Sequence, residues 1–331
     1  MKNNKTTRKT KRKTGGYGIS DKRLDDTFII TNLKDILNNS RPLKYKFDIK
    51  KVKKWSVEMF DVFITNNDEE SNEYNEDRES CVSFEIFSFE TNQLSILINT
   101  IFKCGPIKNY GNFILDSFKE FAEKYGYYSV VIGSDGSTLD FFVNNNGVKT
   151  KVYIDLPQLS ILTSGESWYN RMGFYSHSNK EEIQDNLYKI GKEIQDIDDS
   201  SRIIDFIDRK MQRYKGEREK YLPECYKIVN TYGKFRDLYD FILRLTNKTG
   251  TNSVQEVFEA ITNMIKKNCN TVTKICSLDY ETVKKMNCFV ELMYALLDIK
   301  YKGTSLEYII QKRGGRKRQT KKTRKRSMRK K

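Results

Sequence analysis

QLSILINTIFKCGPIKNYGNFILDSFKEFAEKYGYYSVVIG, residues 93–133, decides how this chain folds. Its opening QLSILINTIF and its closing YYSVVIG are short and rich in β-branched and aromatic residues, the pattern of strands. Between them, GNFILDSFKEFAEKYGY (111–127) puts Phe113, Ile114, Ser117, Phe118, Phe121 and Ala122 on one helical face, with Gly126 as the stop. A strand, a turn carrying Gly105, Pro106 and Gly111, a helix and a second strand form a β-α-β unit.

Working outward, KYKFDI, WSVEMFDVFI and SCVSFEIFSF precede this unit, and STLDFFV and KVYIDL follow it. All read as strands of one sheet spanning residues 43 to about 175. NNNG (144–147) tolerates positive φ and predicts a tight turn between the last two. The acidic NNDEESNEYNEDRES (66–80) has nothing to bury and reads as a long exposed hairpin loop.

After His177 the period changes. Ser178 and Glu181 form a capping-box pattern, and Ile183, Leu187, Ile190, Ile194 and Ile197 follow at helical steps. Further helices are expected at 203–214, 235–245, 254–265 and 280–299, with a second capping box at Ser253 and Glu256. The expected architecture is therefore α/β (α+β): a mixed-sheet domain over 21–177, an all-helical region over 178–311, and basic tails at 1–20 and 312–331.

The net charge of +16 resembles that of a nucleic-acid binder, but its distribution is uneven. Residues 1–13 hold 7 Lys/Arg and residues 312–331 hold 13, with no acidic residue in either, so residues 14–311 are net −4. Such ends predict disorder and non-specific, salt-sensitive contact with phosphate backbones. The six cysteines include no CxxC pair and the chain has one histidine, which argues against a structural zinc site. No apolar stretch approaches the roughly 20 residues of a bilayer span, and the basic N-terminus lacks a signal-peptide core. Reduced thiols in an intracellular setting are the expectation.

Two stretches carry candidate chemistry. In KCGPIKNYGN (103–112) a strand feeds a helix through a glycine-containing turn. The unpaired N–H groups of the helix's first turn suit a phosphate, and Lys108 adds charge. A plain connecting loop explains the same residues. In SGESWYNRMGF (164–174), Ser167–Met172 reads as a short helix closed by Gly173, with Phe174 starting a last strand. Tyr169 then points its phenol either toward a cleft or, more blandly, at a backbone carbonyl.

Taken together, Lys108-Asn109-Tyr110-Gly111-Asn112-Phe113 and, about 60 residues on, Tyr169-Asn170-Arg171-Met172-Gly173-Phe174 resemble the two signatures of GNAT-type N-acetyltransferases. The resemblance covers roughly 43–176. LPQLSILTSGESWYNRMGF and the polybasic, GG-containing tails are particularly similar to GNAT-like proteins of giant DNA viruses. It implies acetyl-CoA as cofactor, held by Phe102, Lys103, Lys108, Asn109, Gly111 and Asn112, with transfer of an acetyl group to an amine. It implies also that the strand ending at Ile101–Lys103 splays from its neighbour, and that Tyr169 protonates the departing thiolate. Glu85, Glu90 and Asp135 are candidates for the base that takes the amine's proton. A host-cell location follows, in the cytoplasm with its viral factory, in the nucleus or in the virion.

Three positions depart from the family pattern. Lys108 stands for the usual Arg or Gln, Leu162 for a common asparagine, and Phe113 for a small residue beside the phosphate. A phenyl ring at 113 predicts an obstructed cofactor path. The alternative is a catalytically inactive scaffold of the same fold that associates with nucleic acid or the virion.

Overall fold

The computed structural model describes residues 21–39, 45–54, 57–66, 80–88, 93–102, 109–176, 179–213, 215–216, 223–250, 252–270 and 273–310. The β-α-β unit is present as β4 (Leu94–Ile101), α2 (Tyr110–Tyr125) and β5 (Ser129–Ser134). Helix α2 ends where Gly126 takes a left-handed conformation, φ 71°, which glycine adopts without a Cβ penalty. Before the unit come α1 (Asp26–Asn39), β1 (Tyr45–Lys54), β2 (Val57–Asn66) and β3 (Val82–Ser88). Helix α1 had no counterpart in the sequence reading.

These strands build a six-stranded sheet in the order β1-β2-β3-β4-β5-β10. Within it β4 and β5 are parallel and every other neighbouring pair is antiparallel. Parallel pairing follows from the crossover through α2. Helices α1 and α2 close one hydrophobic core with the sheet. Phe113 lies 5.6 Å from Phe47 and Phe118 lies 4.9 Å from Phe84, ring centre to ring centre. The Tyr125 hydroxyl donates to Asn32 of α1 over 2.6 Å.

The last strand of this sheet, β10 (Thr304–Ile309), comes from the far end of the described chain and pairs antiparallel with β5. Leu306 is fully buried there. The expected boundary at 177 is therefore crossed twice. β6 (Thr138–Asn145) and β7 (Val148–Asp155) leave the first sheet and form a second, four-stranded one in the order β7-β6-β9-β8. The other members are β8 (Cys269–Asn270) and β9 (Ile275–Asp279).

Around this second sheet sit α3 (Leu156–Ser164), α5 (Asn179–Ile190), α6 (Ile194–Ile197), α7 (Ser200–Arg213), α8 (Glu224–Ile228), α9 (Tyr232–Thr246), α10 (Val254–Asn268) and α11 (Tyr280–Leu296). They share a second core that takes in Phe141, Val143, Val152 and Ile154 of the hairpin. The region after 178 is thus mixed rather than all-helical. Its strands escape a sequence reading because β8 is two residues long and β9 five.

The NNNG turn is as expected. Asn146 and Gly147 take φ 51° and 86°, and the Gly147 N–H donates to Asn144 Oδ1 over 2.7 Å. The Ser253/Glu256 capping box forms on α10. The helix expected from 183 through 197 instead breaks at Gly191 into α5 and α6. The acidic 66–80 stretch lies almost wholly outside the described residues, as do both tails.

The expectation of reduced thiols is overturned. Cys225 is bonded to Cys288 and Cys269 to Cys276, and Cys81 is also disulfide-bonded. Partners 63 residues apart carry no spacing signal. No described helix is long and apolar enough to cross a membrane.

Candidate functional site

The site begins where the β4–β5 ladder stops. The two strands are in register at Ile96↔Val130, Leu97↔Val131 and Ile98↔Ile132, and no further pair joins them. Beyond that point β4 stays with β3, at Val82↔Ile101, while β5 stays with β10, at Thr304↔Ser134. The facing edges of two parallel strands therefore part at their carboxyl ends, where open α/β sheets take their ligands.

Helix α2 starts above this opening. Its N-cap Asn109 is left-handed, φ 55°, and its side chain makes no cap bond, so the first-turn N–H groups gain no side-chain acceptor there. Tyr110, the first helical residue, is buried, and its hydroxyl has no hydrogen-bond partner among the described residues. Burial alone pushes its pKa far above that of an ordinary phenol.

Helix α4 (Trp168–Arg171) docks on that same turn. Trp168 Nε1 donates to Asn112 Oδ1 over 3.1 Å. Its ring lies over Gly111, where a Cβ would come within 2.7 Å of a ring carbon. Glycine is needed here for close approach. The short helix is held by a capping box between Ser167 and Asn170, and Asn170 Nδ2 donates on to the Phe174 carbonyl over 2.8 Å. Gly173 closes it at φ 89°, and Tyr175 then bridges Glu307 of β10.

Tyr169 is 7% exposed, 4.8 Å from the Trp168 ring, and no described residue hydrogen-bonds its hydroxyl. Burial raises its pKa strongly, and the charge of Asp135 adds to the rise. The phenol is therefore neutral at ordinary pH. Asp135 follows β5, and its Oδ1 accepts from the Ser137 hydroxyl over 2.7 Å. Its Oδ2 accepts from the Tyr301 hydroxyl, which lies 3.0 Å from Ser167 Oγ. Burial first, and then Asp135, drive the Tyr301 pKa upward as well.

Tyr301 is held in place by the second half of the molecule. Asn186 of α5 is buried, and it donates to the Lys300 carbonyl over 2.9 Å and accepts from the Lys300 N–H over 3.2 Å. Asp135 N–H donates to the Gly303 carbonyl over 2.7 Å. Nothing in the sequence pointed to Tyr301, because it follows a helix in a segment without a motif.

The expected site residues fall as follows. Asn109 caps α2, and Gly111 and Asn112 of its first turn meet Trp168, so the two halves of the resemblance touch. Phe102 leaves β4 more than half exposed, and its N–H donates to the Cys81 carbonyl over 2.8 Å. Lys103, Lys108 and Glu90 lie outside the described residues. Glu85, on β3, accepts from Asn99 of β4 over 3.5 Å, whereas Asp135 sits in the network beside Tyr169.

Two departures find different places. Phe113 is buried in the first core against Phe47, so its ring is turned away from the opening rather than across it. Leu162 is fully buried in the second core. Set against family models, curated proteins and solved structures, the chain matches none.

Proposed function

We propose that the protein is an acetyl-CoA-dependent N-acetyltransferase with a GNAT-like first sheet, acting on an amine. The observation that carries the reading is the opening between β4 and β5 beyond Ile98 and Ile132, flanked by α2's uncapped first turn and by Tyr169. The residues present suit the cofactor's anionic end: an N-cap without a side-chain bond and a helix of 16 residues favour phosphate oxygens. Asn109, Gly111 and Asn112 would hold it, together with Lys103 and Lys108.

Acetyl-CoA, when bound, supplies a thioester whose sulfur needs a proton as it leaves. Tyr169 is placed to donate a hydrogen bond to that sulfur: its phenol is buried and neutral, and no described residue hydrogen-bonds its hydroxyl. Asp135 is the carboxylate nearest in this network and the best candidate to orient or deprotonate an amine. Tyr301 fixes its second oxygen and ties it to Ser167, one residue before α4. Against the inactive-scaffold alternative stands Phe113, whose ring lies in the core.

Calorimetric titration with acetyl-CoA and with CoA is the direct test. Saturable binding of both is expected, and no heat at millimolar ligand would sink the reading. The basic tails at 1–13 and 312–331 add salt-sensitive contact with nucleic acid, consistent with a virion or nuclear setting.

A further inference from the structure

Helix α7 carries a feature unrelated to the acetyl-transfer site. Arg202, Phe206, Arg209 and Arg213 stand at helical steps on one face, with Lys210 beside them. This face and the end of α11, with Ala295, Leu296 and Asp298, line a cleft of about 470 Å³. Arg202, Arg209 and Arg213 are all exposed, and none has a carboxylate within ion-pair distance among the described residues. Arg202 Nη2 donates to the Leu296 carbonyl over 3.3 Å and Arg209 Nε to the Asp205 carbonyl over 3.2 Å. Lys210 lies over the Phe206 ring, 5.4 Å from its centre, and draws on the Glu291 carboxylate. Asp298 is the acid that lines the cleft itself.

We infer that this cleft binds the phosphate backbone of a nucleic acid, independently of sequence. Arg202 to Arg213 spans about 16 Å along the helix, at 1.5 Å per residue. Guanidinium groups strung along a line suit successive phosphates of a chain; a single phosphate would call for convergence on one point. Their planar forks match phosphate oxygens two at a time. An acidic protein partner fits less well, because Phe206 and Leu296 are buried and offer no exposed apolar anchor. Since residues 14–311 are net −4, the cleft is a local cationic patch on an otherwise acidic body.

The test uses the full chain with a fluorescent duplex oligonucleotide, its affinity followed by anisotropy across a salt series. Replacing Arg202, Arg209 and Arg213 with glutamine should make the slope of log affinity against log salt shallower by about 2.7, near 0.9 per phosphate contact. A control with Lys234→Gln, Lys266→Gln and Lys267→Gln removes the same charge from exposed positions elsewhere and should change the slope by less than one contact. Should loss of the Arg202 bond to Leu296 unfold the triple variant, Arg209→Gln with Arg213→Gln keeps that bond and should lower the slope by about 1.8. An unchanged slope in the cleft variants, or an equal fall in the control, overturns the inference. So does displacement of the duplex by polyglutamate of equal charge through these same arginines, which would make the cleft an acidic-protein site.

Discussion

Replacing Tyr169 with phenylalanine removes one oxygen atom from a ring that is otherwise fixed by Trp168 and Phe174. If the proposed activity holds, acetyl transfer should fall roughly 100-fold or more, while calorimetric affinity for acetyl-CoA stays unchanged. An equal loss of affinity would assign the hydroxyl to binding instead. Gly111→Ala is a packing probe of the same neighbourhood. Its Cβ would sit 2.7 Å from the Trp168 ring, and the forced shift should cost about 1–3 kcal/mol, read as a lower urea midpoint at constant m-value. Tyr110→Phe should act the other way. The hydroxyl is buried without a partner among the described residues, so its removal relieves an unsatisfied polar group and should raise stability by about 1 kcal/mol. A fall in the urea midpoint would mean that the hydroxyl is satisfied in solution.

At the scale of elements, β10 determines whether the first sheet is complete. It covers the free edge of β5, and Leu306 is fully buried in the first core. Leu306→Ala should cost about 2–5 kcal/mol and should speed amide exchange in β5, measured by hydrogen exchange. Unchanged exchange there would mean that β5 is held by β4 alone. The elements legible in the sequence were those with a strong period of their own. Helix α2 places Phe113, Ile114, Phe118, Phe121 and Ala122 in the core as its spacing foretold, and the NNNG turn and the Ser253 cap carry local chemistry. Helix α1, α3 and β8 to β10 were not legible. Helix α3 follows β7 directly, after an N-cap, Asp155, that reads equally well as the last residue of a strand. β8 and β9 gain their identity from pairing with each other and with β6, which no local pattern encodes.

For the molecule as a whole, the consequence is that neither core is built from a continuous piece of chain. The first takes Leu306 from the C-terminal region, and the second takes the β6–β7 hairpin and α3 from the middle. The Cys225–Cys288 bond closes a long loop in the second half. Reduction should lower stability by about 2–4 kcal/mol, measured as a drop in thermal midpoint with dithiothreitol. A Cys225→Ser, Cys288→Ser variant should show a drop of this size without reductant, and a smaller further drop with it than the parent shows. An unchanged midpoint in both experiments would show that the bridge adds nothing to the fold.

By itself the sequence determined the β-α-β unit, the helical faces, the turn and cap chemistry, and the runs of positive charge at the ends. These are properties of residues within a few positions of one another, where periodicity, capping and like-charge repulsion act. Tertiary structure alone decided that the sheet needs a strand from residues 304–309, that the five described cysteines are disulfide-bonded, that Phe113 turns inward, and that Tyr301 links Asp135 to Ser167. Each of these depends on residues brought together across dozens to hundreds of positions, and only burial in a common core brings them within a hydrogen bond or a covalent bond of each other.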